Sequence, residues 1–265
     1  MSLLVIVSGE RNITESVDLI NRTRMNVFQK IKEIIADRKF QNQIYDDIQN
    51  LDEVLLQKRL EIFKEKLTPE FIKIGLNNWN GKYIWSSDFN KEGVKHVVEY
   101  NVLKGYGGSF SYGNCFYSMP TISGEKKLIY HKTDKSTKIH LYRMLDGWQE
   151  SFENNIRFNL DRVSTANEKR FRSTLDDILV RNIPKLESWF VNTQNIEDNI
   201  KELKAGLSKS NLEKGQRIIS NEYILSFLYK EKKDIESALY WIDKHFEKKL
   251  NNEIIKNLLL KKLKI

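Results

Sequence analysis

The chain is poor in the residues that build covalent and metal-based sites. Cys115 is the only cysteine among 265 residues. One thiol forms neither an internal disulfide nor a cysteine zinc site, which indicates a reducing compartment. Tyr112, Phe116 and Tyr117 surround it in sequence, a setting typical of a buried structural cysteine. A nucleophilic role would need a histidine or a cation beside the sulfur.

Long apolar segments are also missing. A membrane-spanning helix needs about 20 consecutive apolar residues, and no segment of this chain approaches that length. The apolar run at residues 3–7 is too short for a signal-peptide core, and no basic residue precedes it. We therefore expect a cytoplasmic protein that is neither secreted nor membrane-spanning. Its 30% of charged and 40% of hydrophobic residues fit a globular chain.

The charge of the chain is positive and uneven. The net charge is +8, and residues 201–265 carry fifteen Lys or Arg against nine Asp or Glu. A basic surface of this kind can attract nucleic acid. The alternative, which we favour, is that the excess only reflects a chain rich in lysine throughout.

The central third of the chain differs from its flanks in composition. Nine of the twelve glycines, fourteen of the twenty-nine aromatic residues and three of the four histidines lie in residues 71–148. Aromatic residues favour strands and glycines separate them, so this segment predicts an antiparallel sheet of about four to six strands. The predicted strands are 83–85, 94–103, 110–117, 127–131 and 140–144. Pro120 and the Ser123-Gly124 pair are predicted to break the chain between them.

Helical patterns occupy both flanks of this segment. Residues 12–66 carry apolar residues at helical spacing, after a capping pair of Asn12 and Glu15. The sequence therefore predicts an α+β fold. Its first domain is 1–148, with N-terminal helices at 12–66 and a sheet at 71–148.

The segment 149–265 is predicted to be helical, packed on the sheet or forming a small helical subdomain. Thr165 and Glu168 form a capping box that predicts a helix start, and Pro184 is expected to kink or end that helix. A helix pair joined by the charged residues 230–234 follows. An amphipathic helix is predicted at 254–265.

One polar loop after an apolar strand is the candidate site. It contains a histidine, an aspartate and several lysines and hydroxyls, and loops held by a sheet often carry function. A histidine beside an acid suits general base chemistry, and lysines with hydroxyls suit anion binding. A solvated turn explains the same residues equally well. The catalytic candidates are His131, Asp134 and Lys135, and the binding candidates are Lys132, Thr133, Ser136 and His140.

Other signatures of chemistry are incomplete. The glycine-rich residues 104–109 lack the spacing of a phosphate loop and precede a strand, so they predict a hairpin turn. Glu99 is followed two residues later by Asn101 rather than lysine, which removes a Glu-x-Lys nuclease signature. Without HExxH, HxH or paired cysteines, we predict no metal and no cofactor. Aromatic side chains that stack on single-stranded bases stay a minor alternative.

The order of features in residues 79–148 resembles a family of uncharacterised bacterial domains of unknown function. The features are the run Val97-Val98-Glu99-Tyr100, then Lys104-Gly105, a strand ending near Pro120, and the phrase His131-Lys132-Thr133-Asp134-Lys135-Ser136. The resemblance covers about a third of the chain. It implies a bacterial origin and directs attention to the loop, but it implies no activity.

Three functional hypotheses follow. We favour a non-enzymatic binding or accessory protein, with another protein as its partner and no membrane. The alternatives are a nucleic-acid-binding protein that uses the basic C-terminal quarter, and an enzyme with its site in the His131–His140 loop. The oligomeric state stays open.

Overall fold

The computed structural model describes Ile35 and residues 49–103, 107–124, 127–144, 163–207, 219–247 and 253–264. Several predictions lie outside these residues. They are the apolar run at 3–7, the capping pair of Asn12 and Glu15, most of the first helical stripe, and the turn residues 104–106.

The first helix whose bounds the described residues give begins at Leu56. Helix α1 spans Leu56–Ile62, a π-helical turn spans Phe63–Leu67, and helix α2 spans Thr68–Lys73. Pro69 stands in the first turn of α2, which follows the π-helical turn without a break. This helical run continues two residues past the predicted start of the sheet segment at 71.

Antiparallel pairing dominates the strands, as predicted, and the α+β class is confirmed. The strands of the described chain are β1 Asn78–Trp79, β2 Ile84–Ser86, β3 Val94–Leu103, β4 Gly107–Phe116, β5 Pro120–Ser123, β6 Lys127–Tyr130, β7 Leu141–Met144 and β8 Val163–Ser164. The main sheet has the order β1-β2-β3-β4-β7, and β8 also pairs with β4. Its centre is the long β3–β4 pair, in register from Val94 opposite Phe116 to Leu103 opposite Gly107.

Consecutive strands of the predicted antiparallel sheet stop pairing with each other after β4. Strands β5 and β6 form a separate two-stranded sheet, and β7 returns to pair with β4. The chain breaks between strands at residues 117–119, just before the predicted Pro120, and Pro120 itself is the first residue of β5. Proline is tolerated there since the first residue of a short strand at a sheet edge can forgo its hydrogen-bond donor. The predicted break at Ser123-Gly124 is confirmed, and Gly124 has a positive φ of 56°.

Helices return after β8. They are α3 Glu168–Val191, α4 Ile196–Leu207, α5 Asn221–Glu231, α6 Ile235–Glu247 and α7 Glu253–Leu263. The predicted helix pair and its charged connector are confirmed as α5 and α6. The predicted tail helix corresponds to α7.

Two details of α3 differ from the sequence prediction. The residue that caps α3 is Asn167 rather than Thr165, because the Asn167 side chain accepts a hydrogen bond from the backbone N–H of Arg170. The helix also continues through Pro184 to Val191. The proline leaves the carbonyl four residues earlier without its donor, and that residue, Val180, is 78% exposed, so water can satisfy the carbonyl.

Two apolar cores hold the elements together. The first joins α1, the π-helical turn, α2 and α3 to the aromatic side of the sheet around Trp85, Tyr100 and Phe110. The second joins α4, α5, α6 and α7 to Phe116 and Leu141 at the end of the sheet. The segment after 148 therefore both contacts the sheet and builds a core among its own helices, and it adds β8 to the edge of β4.

The opposite side of β3 and β4 carries a smaller apolar cluster. Val97 and Cys115 lie there with Ile139, which comes from the polar loop between β6 and β7. This cluster positions the loop against the sheet. No helix in the described part of the chain has the length and apolar character needed to cross a bilayer.

Candidate functional site

His131 is the first side chain of the predicted site, and both of its ring nitrogens are bonded. Nδ1 lies 2.6 Å from the carbonyl oxygen of Ser136, and Nε2 lies 2.7 Å from Oγ1 of Thr121. A carbonyl only accepts, so Nδ1 donates, and the Nε2 of a neutral ring accepts from the threonine hydroxyl. Burial lowers the pKa of His131, which favours this neutral form. The ring fixes the loop to β5.

The hydroxyls of the loop bond to one another. Residues Asp134–Ser136 form a 3₁₀ turn that Thr133 precedes. The Ser136 hydroxyl oxygen accepts from the backbone N–H of Thr133 at 3.2 Å, and the two hydroxyl oxygens lie 2.9 Å apart. These two predicted binding residues therefore form a reciprocal cap within the loop.

Asp134 bonds to a lysine that sequence reasoning did not select. Its Oδ1 lies 2.6 Å from Nζ of Lys95 on β3. The same ammonium group lies 4.7 Å from the centroid of the Phe89 ring. The structure thus brings Asp134 to Lys95 and not to a ring nitrogen of His131, so the predicted pairing of base and acid is not formed. A lysine inside an apolar strand was the signal that could have identified Lys95.

His140 is completely buried behind the loop. Its Nδ1 accepts from the backbone N–H of Phe116 at 3.0 Å, and its ring stacks on that of Phe116. Burial, His131 and Lys138 together lower the pKa of His140 to about 3, so the ring is neutral at pH 7. Its Nε2 has no hydrogen-bond partner among the described residues. The His140 side chain therefore has no access to solvent, which its predicted binding role would require.

Cys115 lies beside these rings and is buried, as the sequence predicts. Its Sγ is 3.6 Å from the carbonyl oxygen of His131, a weak hydrogen bond in which the thiol donates. Burial raises the pKa of Cys115 to about 11. The group is a thiol at neutral pH, so it lacks the thiolate that a nucleophile requires.

The exposed part of the loop is basic and aromatic. Lys132 Nζ lies 4.1 Å from the ring centroid of Tyr117 and 5.2 Å from that of Tyr130. Tyr117 is 46% exposed, and Ile129 on β6 is 43% exposed. We call the following residues the basic patch: Lys127, Lys132, Lys135 and Lys138, with Tyr117 and Ile129. In the described chain none of these four exposed lysines forms a salt bridge.

A second polar cluster joins the sheet to the C-terminal helices. His96 Nδ1 lies 2.7 Å from Oδ1 of Asn114, and the Asn114 amide donates to Oδ1 of Asn199 at 2.6 Å. The amides of both asparagines donate to the carbonyl of Thr193. The His96 ring stacks on Phe190, and burial lowers the pKa of His96. The cluster is enclosed and satisfied, which indicates a structural connection.

One concave surface among the described residues is a shallow groove at the start of α4. Its charges are already paired, since Glu92 accepts from the backbone N–H of Ile196 and Lys232 bonds to Glu197. Within the residues that the structure describes, no group of three or more potential metal ligands comes together.

Many lysines of the C-terminal quarter are also neutralised by carboxylates. The pairs are Lys201–Asp198, Lys232–Glu197, Lys244–Glu247 and Lys256–Asp243. The charge excess counted in the sequence is therefore divided between paired and unpaired lysines. The prediction of a nucleic-acid surface there stays a prediction.

No family model, curated protein or solved structure matches the chain. The resemblance to domains of unknown function stays a prediction, and the site is interpreted from its own geometry.

Proposed function

We propose that the chain is a non-enzymatic binding protein whose basic patch holds an acidic segment of a partner protein. The observation that supports this proposal is that four exposed lysines, none of which forms a salt bridge with a described residue, share one hairpin and loop. A cationic surface of this kind is complementary to Asp- and Glu-rich segments. Tyr117 and Ile129 add exposed apolar area beside the charges.

The rigidity of the loop supports a binding role. His131 bonds the loop to β5, Thr133 and Ser136 cap it, and Asp134 connects it to Lys95 on β3. A surface held in one conformation loses little entropy on association, so more of the contact energy appears as affinity.

The same bonds weigh against an enzyme. A general base needs a nitrogen or oxygen that can reach a substrate proton. The nitrogens of His131 bond to Thr121 and Ser136, His140 is enclosed, and Asp134 bonds to Lys95. Lys135 is exposed and has no hydrogen bond to a described side chain that could act with it.

The nature of the patch also favours protein over nucleic acid. Base stacking needs an open aromatic face, and the ammonium of Lys132 already lies over the Tyr117 ring. The buried thiol of Cys115 fits the reducing bacterial cytoplasm that we propose as the location.

A direct test uses a fluorescent twelve-residue peptide that repeats two glutamates followed by two valines, so that each face of the extended chain carries both residues. We expect binding at low salt that weakens as salt screens the charges. The triple variant Lys127→Glu, Lys132→Glu, Lys135→Glu should bind about threefold to a hundredfold more weakly, since exposed ion pairs contribute about 0.2–1 kcal/mol each.

The control is the triple variant Lys64→Glu, Lys169→Glu, Lys262→Glu. It makes the same change in net charge at exposed lysines outside the loop and hairpin. Equal weakening in both variants, or no binding of the peptide to the wild-type protein, would contradict the proposal. A single-stranded oligouridine that binds more tightly than the peptide would favour nucleic acid instead.

A further inference from the structure

Strand β6 is an edge strand in the described part of the chain. It pairs with β5 from Pro120 opposite Tyr130 to Ser123 opposite Lys127, and the two strands form a sheet of their own. The residues of β6 make no other backbone hydrogen bond within that part of the chain. An edge strand of this kind presents N–H and C=O groups that can accept another strand.

The hairpin is anchored on one face and open on the other. Ile122 and Leu128 lie opposite each other and pack against the helical core of α4 to α7. Thr121 and Ile129 form the next pair on the other face, where Thr121 is bonded to His131 and Ile129 is 43% exposed. The anchored face fixes the position of the edge, and the open face offers an apolar contact to an added strand.

The charges around β6 determine which strand can be added. Lys127 begins the strand and Lys132 lies two residues beyond its end, and neither forms a salt bridge within the described residues. Two copies of this edge would place like charges side by side, which is unfavourable. A strand that carries carboxylates would pair with them instead.

We propose that an extended acidic segment of a partner protein adds to β6 as a third strand of the β5–β6 sheet. The inference rests on the proposed function and specifies its binding mode. Main-chain hydrogen bonds supply the affinity in strand addition, and side chains supply the selectivity. Lys127 and Ile129 share one face of β6, so they contact a carboxylate and an apolar side chain on that face of the added strand. Lys132 selects a further carboxylate beyond the end of β6.

The competing explanation is that the lysines only prevent aggregation of an exposed edge, a common role of lysine on edge strands. The two explanations differ in what happens to the backbone. An added strand would protect the β6 amides at the open edge from hydrogen exchange. If the lysines only prevent aggregation, the same amides continue to exchange.

The experiment compares two forms of the Glu-Val peptide. The second form carries N-methyl groups on alternate residues, which remove donors along one edge but keep every side chain. We expect N-methylation to weaken binding about tenfold or more, as lost main-chain hydrogen bonds would. We also expect the unmethylated peptide to slow exchange of the amides of residues 128–130, with the amides of α7 as the internal control.

The outcomes separate the binding mode from the proposed function. Equal binding of both peptides without protection of β6 overturns strand addition, and the basic patch remains a charge-driven binding surface. Failure of both peptides to bind overturns the proposed function and this inference together. The variant Ile129→Thr keeps a β-branched side chain but loses apolar contact area. We expect it to bind the unmethylated peptide about threefold more weakly. An unchanged affinity in that variant would contradict the role given to Ile129.

Discussion

Lys95 Nζ and Asp134 Oδ1 lie 2.6 Å apart, although 39 residues separate them in the chain. The two partners are unequally buried, since the Lys95 side chain is 3% exposed and that of Asp134 is 56% exposed. An ammonium group inside an apolar sheet needs a charged or aromatic neighbour, and Asp134 and the Phe89 ring are the neighbours it has. The ion pair therefore connects the polar loop to the sheet.

Removing the charge of Asp134 should destabilise the protein. Asp134→Asn leaves the buried ammonium of Lys95 without its carboxylate, and we expect the free energy of unfolding to fall by about 1–3 kcal/mol. Lys95→Met should cost less than about 1 kcal/mol, because Asp134 is solvated and the methionine still packs on Phe89. The control is Glu70→Gln, which breaks the exposed pair with Lys73. The measurement is urea denaturation. Equal losses in the free energy of unfolding for Asp134→Asn and Glu70→Gln would contradict the prediction.

Acid should destabilise the fold through His140. The pKa of His140 is lowered to about 3 by burial and by the neighbouring His131 and Lys138. Below the unfolded value of about 6.5 the unfolded chain binds the extra proton, so stability is present above pH 6.5 and is lost as the pH falls toward 3. The slope for one histidine reaches about 1.4 kcal/mol per pH unit.

The variant His140→Asn tests this slope, since an asparagine oxygen can still accept from the Phe116 N–H. Denaturation between pH 7 and pH 5, where most carboxylates stay ionised, should show a shallower decline than in the wild-type protein. The pKa values of His96 and His131 are also lowered, so part of the decline should remain. An identical slope in both proteins would count against the neutral, buried His140.

A methyl group at Gly113 should not fit. A Cβ atom there would lie 1.7 Å from the carbonyl oxygen of Leu141 and 2.6 Å from Ile139 Cγ2. Gly113→Ala must therefore separate β4 from β7, and we expect a loss of about 2–4 kcal/mol in the free energy of unfolding. Gly206→Ala on α4 is the control, because its nearest contact would be 3.4 Å and alanine favours a helix by about 0.5–1 kcal/mol. Thermal denaturation should show a lower midpoint for Gly113→Ala and a higher midpoint for Gly206→Ala than for the wild-type protein.

The thiol of Cys115 should be unreactive in the native protein. With its pKa raised to about 11 by burial, the thiolate fraction at pH 8 is about 200-fold below that of a free cysteine. A colorimetric disulfide reagent should label Cys115 slowly without denaturant and completely in guanidinium. Rapid labelling of the folded protein would indicate that the loop opens readily.

The asparagine cluster between β4 and α4 should behave as one unit. Asn114→Ala removes the hydrogen-bond partner of His96 and of Asn199. We expect the free energy of unfolding to fall by about 1–3 kcal/mol. The double variant with Asn199→Ala should deviate from additivity by about 0.5–3 kcal/mol. Thr68→Ala, which breaks the bond from the Trp85 indole, shares no partner with Asn114 and should add to it within about 0.5 kcal/mol.

Patterns within short windows predicted much of the fold. Strand β3 coincides with the β-branched run at 94–103, and α6 follows apolar residues at helical spacing. The differences at the α3 cap and at Pro120 concern boundaries, where several residues can serve as a cap or a break. The choice among them depends on which neighbours satisfy the backbone.

The sequence correctly directed attention to the loop after Tyr130 but not to the roles of its residues. His131 and Asp134 have the chemistry of a base and an acid, yet each bonds to a different partner, Thr121 or Lys95. Neither partner is near enough in sequence for spacing to indicate the contact.

The sequence by itself determined the α+β class, the long central strands and the helix pair at the C-terminal end, because periodicity and turn residues act over a few positions. The tertiary structure alone decided which lysine is buried with Asp134, which histidine loses access to solvent, and which lysines stay unpaired on the basic patch. These outcomes depend on burial and on contacts between distant residues, since the pKa and the availability of a side chain are set by what surrounds it in space.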